Sequence, residues 1–157
     1  MKFISHRGNW CGKDKTQENL PDVIAARITQ GYSVEVDVWG HNSKLFLGHD
    51  LPDIEVSPQF FKTYYNKLYV HCKNDAALFA LSHIPVLELF SHTNDPFTIS
   101  SKRTILINPH TNTNQRNGIL MMPEMSNYSV EEILQFDGII TDNIKFYEDC
   151  FNSVGKQ

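Results

Sequence analysis

Apolar residues recur along this chain in short runs separated by polar turns, and in the first half helix-like spacing fills the intervals between them. Lys2–Ser5 predicts a strand that runs directly into His6-Arg7-Gly8. Asn19 as cap, Pro21 in the first turn and Gly31 past the end bracket a helix that turns Val23, Ile24 and Ile28 inward. Ser33–Trp39 alternates as a strand, Asn42-Ser43 carries a turn, Leu45–Leu47 runs back, and Gly48-His49-Asp50 ends the hairpin. Ser57-Pro58 opens a helix over Gln59–Lys67 whose Phe60, Phe61, Tyr64 and Tyr65 read as core. Leu68–Asn74 is a further strand, Asn74 caps a helix through Ser82, and Val86–Phe90 is the strand after it.

Beyond Phe90 the pattern changes, because Phe97–Ser100, Thr104–Asn108 and Gly118–Met122 follow one another with almost no room for helices. Ser129 and Glu132 form a capping box for a helix to Phe136, Gly138–Asp142 is the last strand, and Asn143 caps a terminal helix through Phe151. Leaving aside the returning arm of the hairpin, this order predicts an α/β fold, a trimmed TIM-like (β/α)8 barrel with several helices shortened or missing. Such barrels usually take about 250 residues, and this chain has 157. Placement favours the barrel nonetheless: His6, Glu35, Asp37, His71, Lys73, His92, Glu124 and Asp142 all fall at or near the C-terminal ends of strands, where barrel active sites lie.

Composition narrows the classes. With 41% hydrophobic residues the chain can bury one core, and residues 1–157 are expected to form a single domain. Eighteen acidic against 14 basic residues give a formal charge of −4, which leaves no electrostatic footprint for a nucleic-acid partner. No apolar run reaches membrane-spanning length, and the first residues turn polar too soon for a signal peptide, so a cytoplasmic location without a membrane span is expected. Cys11, Cys72 and Cys150 are odd in number and lack metal-type spacing, which fits ordinary thiols in a reducing compartment.

The candidate chemistry centres on Glu35 and Asp37. Residues i and i+2 of a strand share a face, so these carboxylates lie side by side while Val34, Val36 and Val38 point the other way. That pair outlines a site for a divalent cation such as Mg²⁺, Ca²⁺ or Mn²⁺, with His71 as a third ligand; two solvated acids on an edge strand are the less favoured alternative, and His71 equally fits a hydrogen-bonded histidine in the barrel mouth. His6 and His49 titrate near neutrality and suit an acid–base pair, with Asp50 placed to fix a histidine tautomer. Arg7 and Lys73 suit a phosphate. Together these are the parts of metal-assisted phosphoryl transfer, and no Gly-rich phosphate loop or dinucleotide fingerprint competes with them.

On these residues the chain resembles the glycerophosphodiester phosphodiesterase family, in the superfamily that includes phosphatidylinositol-specific phospholipase C and sphingomyelinase D toxins. His6-Arg7-Gly8 matches the opening His-Arg-Gly, Glu18-Asn19 the Glu-Asn that follows, Glu35-Val36-Asp37 the metal-binding Glu-x-Asp, and Gly48-His49-Asp50 the His-Asp after the hairpin. The match covers roughly the first third of the chain, with Lys73 and Asp137–Asp142 as later echoes. The resemblance implies a barrel enzyme that hydrolyses a small phosphodiester, with His6 and His49 as acid and base, Glu35 and Asp37 on a divalent metal cation, Arg7 and Lys73 on phosphate, and Glu18 in support. Two departures bear on this. His71 stands where the family carries an acidic metal ligand, so either it ligates and alters the metal preference or the ion is weakly held or absent; and Leu20 replaces the threonine after Glu-Asn. His71-Cys72-Lys73-Asn74 and His92-Thr93-Asn94-Asp95 resemble a compact subgroup with His-x-Lys-Asn followed by His-x-x-Asp, which places His92 in support. With so short a second half, the pocket is expected to be open or to take walls from a second copy in a homo-oligomer. A phosphate-ester binding module without turnover and an enzyme that cyclises without hydrolysing are the competing readings.

Overall fold

A computed structural model of the chain describes residues 1–154. In chain order it holds β1 (Lys2–His6), α1 (Pro21–Thr29), β2 (Ser33–His41), β3 (Lys44–Leu47), β4 (Ile54–Val56), α2 (Pro58–Tyr64), β5 (Leu68–Cys72), α3 (Asp75–Ser82) and β6 (Glu88–Phe90). There follow β7 (Phe97–Ile99), β8 (Ile105–Ile107), β9 (Ile119–Met121), a 3-10 turn at Pro123–Met125, α4 (Val130–Ile133), β10 (Gly138–Thr141) and α5 (Ile144–Val154). Strands β6, β5, β2, β1, β10, β9 and β8 run side by side in that order, all parallel. The sheet curls into the trimmed TIM-like barrel that the pattern predicts, with two differences.

The first is β7, which pairs with β8 in the antiparallel sense instead of standing as a barrel strand. Only residues 100–104 join the two, and a parallel neighbour needs a crossover of about a dozen residues or more. The second is a seam: among the described residues no ladder joins β6 to β7 or β8. The Ser101 amide donates to the Leu89 carbonyl at 2.8 Å, the Leu89 amide donates to Ser101 Oγ at 2.9 Å, and Ser100 Oγ donates to Glu88 Oε1 at 2.9 Å. Thr104 Oγ1 donates to the same Glu88 oxygen. Backbone and side chain thus close in a few bonds what a ladder would close elsewhere.

Strand alternation divides the core. Val34, Val36 and Val38 join Ile24, Phe61, Val70 and Leu81 in the layer between the sheet and helices α1 to α3. Ile4, Tyr69, Phe90, Leu106, Ile119, Met121 and Ile140 fill the barrel interior, while Ile107, Leu120 and Ile139 turn outward toward Ile133, Phe136 and Tyr147. Because the valines of β2 face the helices, Glu35 and Asp37 face the interior.

β2 outruns β1, which stops opposite Glu35, and β3 takes over the vacated edge from Val38 to His41. Asn42 and Ser43, at φ 49° and 61°, make the tight turn between β2 and β3. The short strand β4, unforeseen in the pattern, adds to β3. At the far end of β2, Gly40 lies so close to α3 that a Cβ there would stand 2.5 Å from the backbone of Ala76 and Ala77. Asn74 locks this contact: its side chain caps α3 at the Ala77 amide (3.0 Å), accepts from the Gly40 amide and donates to the Gly40 carbonyl, both at 2.9 Å. The capping box of Ser129 and Glu132 forms as expected. Helix α1 does not begin as expected, for its cap is Leu20, not Asn19. No helix among the described residues is long and apolar enough to cross a membrane.

Candidate functional site

Three parallel strand ends bring the charged residues together. β1 delivers His6 and Arg7, with Arg7 turned into the left-handed region at φ 54°, β2 delivers Glu35 and Asp37, and β5 places His71 opposite Asp37 in register. Arg7 Nε lies 2.7 Å from Asp37 Oδ2, His71 Nδ1 lies 3.0 Å from Asp37 Oδ1, and Lys73 Nζ lies 3.4 Å from that same oxygen. Asn19, displaced from the helix cap and held at φ 60°, accepts the Asp37 amide at 3.0 Å and donates to Asp37 Oδ2 at 3.2 Å. Burial would raise Asp37, but the hydrogen bond from His71 and the charges of Arg7 and Lys73 hold it well below the ordinary carboxylate range.

Glu35 has the opposite balance. Burial and the neighbouring Asp37 charge push its carboxyl up, and its Oε2 is buried with no hydrogen-bond partner among the described residues. His6 Nε2 lies 3.8 Å from that oxygen, while His6 Nδ1 lies 2.6 Å from Asp142 Oδ1 at the end of β10. Burial would lower His6, yet the Asp142 hydrogen bond and the Glu35 charge outweigh it and its pKa is raised. Asn9 steadies Asp142 by donating to its Oδ1 at 2.7 Å and also donates to Glu18 Oε1 at 3.1 Å. Glu18 in turn accepts from Arg7 at 3.1 Å.

His49 sits after the hairpin on a loop that turns at Gly48, whose φ of 148° and 2.2 Å clearance from the Leu51 carbonyl leave no room for a Cβ. Its Nδ1 lies 2.7 Å from Asp50 Oδ1. Burial, with the Arg7 charge, lowers its pKa. His6, Arg7, Glu35, His49, His71, Lys73 and His92 all line one cavity of about 420 Å³ at the barrel mouth. Asp37 is fully buried behind them.

The His71 ring stacks on Phe90, with centroids 5.0 Å apart and planes at 4°, and on His92 at 4.7 Å. The His92 ring thus packs against His71, and its own pKa is lowered by burial and by the His71 charge. One ligand atom from each of Glu35, Asp37 and His71 falls within 4.8 Å of the others. Two carboxylates and an imidazole suit a divalent cation, and the unpartnered Glu35 oxygen gives it an anionic ligand not already committed. Coordination by His71 Nδ1 would take the place of its contact with Asp37.

Every expected site residue except Asp50, Asp37 and Glu18 reaches the mouth wall; Asp50 and Glu18 line an adjoining cavity of about 550 Å³ with Arg7, His49, Lys13 and Asn19. Sequence reasoning missed Asn9, Lys13 and His110. His110 lines the mouth just past the end of β8, and its strand-end position was the available signal. Glu124 is not on the cavity wall; its Oε1 accepts the Thr141 hydroxyl and the amides of Asp142 (3.0 Å) and Asn143 (3.2 Å), so it anchors the strand end that carries Asp142.

No protein-family model and no curated protein sequence matches the chain. Among solved structures, the chain is similar to a protein from Galdieria sulphuraria described as a "putative glycerophosphodiester phosphodiesterase". The superposition covers 96% of this chain and 97% of that one, with a TM-score of 0.60 and 12% identity. At that identity the likeness shows a shared barrel fold.

Proposed function

We propose that this chain is a phosphoric diester hydrolase of the glycerophosphodiester phosphodiesterase type, metal-dependent and acting on a small glycerophosphodiester-type substrate. The observation that carries the reading is one cavity that gathers two histidines with oppositely shifted pKa values, two cationic side chains and an uncommitted buried carboxylate oxygen. Arg7 and Lys73 bind the phosphate oxygens. His49, neutral at neutral pH, takes a proton from water as its oxygen bonds to phosphorus; the phosphorus–oxygen bond to the alcohol breaks, and His6, protonated through Asp142 and Glu35, gives its proton to the leaving oxygen. Glu35, Asp37 and His71 would hold a divalent cation, which when bound supplies Lewis-acid neutralisation of a phosphate oxygen.

The test is phosphorus NMR of the protein with a panel of glycerophosphodiesters, with EDTA and then with Mg²⁺, Ca²⁺ or Mn²⁺ restored. Loss of the diester signal only with metal is the expected outcome. Unchanged turnover in EDTA would remove the cation from the reading, and a cyclic phosphate product would replace hydrolysis by attack of a neighbouring substrate hydroxyl. A second reading, a phosphate-ester binding module, draws support from Asp37, whose oxygens are already engaged by Arg7, His71, Lys73 and Asn19. Binding without turnover under every metal condition would favour it.

A further inference from the structure

The mouth cavity and the adjoining one meet at a waist, and Arg7, Lys13 and His49 are the residues that line both. Two of these already have a place in the proposed chemistry, Arg7 on the phosphate and His49 as the base, so on that reading the reacting phosphorus sits at the waist. Lys13 stands beside them with no part assigned.

The balance of charge gives it one. Three permanent cations line the mouth: Arg7, Lys13 and Lys73. Arg7 is shared between Asp37 at 2.7 Å and Glu18 at 3.1 Å, and Lys73 lies 3.4 Å from Asp37. An anionic phosphate that approaches Glu35 and Asp37 therefore meets two cations whose charge is partly spent on carboxylates. Lys13 forms no ion pair among the described residues. Its neighbour Asp14 turns away from it, Oδ1 accepting the Thr16 amide at 2.9 Å and the Thr16 hydroxyl at 2.6 Å. The backbone on either side of Lys13 is held as well: the Gly12 amide donates to the Asp142 carbonyl at 2.9 Å, and the Asp14 amide donates to Asn9 Oδ1 at 3.0 Å. Asp142 bonds the His6 ring and Asn9 bonds Asp142. The same two residues thus place both Lys13 and the proposed acid.

We infer that Lys13 is a phosphate-binding residue of this site, supplying at the waist the uncommitted positive charge that Arg7 and Lys73 lack. The inference rests on the phosphodiesterase reading for its substrate, and it adds to that reading a residue outside the motifs that suggested it.

The experiment measures kcat and KM for glycerophosphocholine, in the metal that supports turnover, for Lys13→Met, Lys13→Arg and Lys62→Met. Lys62, exposed on α2, controls for the loss of one positive charge. A solvent-exposed charged contact with an anion is worth about fivefold to tenfold, so Lys13→Met is expected to raise KM by about that factor with kcat held within about threefold. Lys13→Arg is expected to recover most of the loss, and Lys62→Met to leave both constants alone. An unchanged KM in Lys13→Met, an equal rise in Lys62→Met, or a rise that Lys13→Arg does not recover would overturn the inference and leave the phosphodiesterase reading standing. If the diester does not turn over, calorimetric binding of glycerol phosphate decides: affinity that falls in Lys13→Met alone supports the inference without catalysis, and equal affinity, or no binding by the wild-type chain, overturns it.

Discussion

His6 leaves the end of β1 with its side chain 10% exposed, bonded to a buried carboxylate from the last strand of the barrel. His49 rides on a loop, its side chain 41% exposed, and its acidic neighbour Asp50 is 84% exposed. Both line the same mouth, but one is fixed by the sheet and the other by a turn. The fixed ring has its pKa raised by partners that outweigh burial, whereas the loop ring has its pKa lowered by burial and by Arg7. Two residues of one type are shifted in opposite directions because the fold gives one of them buried anions that outweigh its burial and leaves the other partly buried beside a cation. That difference assigns them their proposed roles, and it can be tested at each end.

The largest effects come from removing the rings. His6→Ala and His49→Ala are each expected to lower kcat for a diester by about 10²- to 10⁴-fold, and their stabilities should part company. Without His6, the buried Asp142 carboxylate loses a hydrogen-bond donor and Glu35 loses a neighbouring positive charge, at a cost of about 1–3 kcal/mol in urea unfolding; without His49 the change should stay within about 0.5 kcal/mol. Equal destabilisation by the two substitutions would break the comparison.

Asp142→Asn sharpens it. The substitution takes away the negative charge that raises His6, and it should cost roughly ten- to a hundredfold in kcat through the misplaced ring. It should also change the pH profile with a defined sign. Activity requires His49 deprotonated and His6 protonated, so the wild-type window opens below the ordinary histidine value and closes above it. In Asp142→Asn the alkaline limb moves to lower pH while the acid limb stays; an unmoved alkaline limb would detach Asp142 from the proton of His6. Asp50→Asn is the smallest perturbation, because an exposed pair contributes at most about 1 kcal/mol, and kcat/KM should fall by less than about fivefold.

The first half of the site was legible because its determinants are local. The spacing of Glu35 and Asp37 fixes one face of one strand, and the hairpin that returns His49 is written in Asn42-Ser43 and Gly48. Asp142 was legible as a strand-end residue but its partners were not, since Asn9 and Asp142 meet across 133 residues and strand order leaves no mark in a hydrophobic pattern. Asn19 was misread for a physical reason: before Leu20-Pro21 it has the composition of a cap, and only the folded chain shows its side chain spent on Asp37. The reversal of β7 was readable after all, in the shortness of the link from Ile99 to Ile105. β4 was hidden by its length, three residues after Pro52-Asp53.

The seam beside β6 gives the barrel a spine and a clasp. On one side β1 and β10 are bound by a full parallel ladder; on the other, the half that ends in β5 and β6 and the half that ends in β9 and β8 are buttoned together through Glu88, Leu89 and the Ser100–Thr104 turn. The two sides of the mouth are thus held to each other, beside the strand that carries Phe90, by a few bonds around the Glu88 carboxylate and the Leu89 backbone.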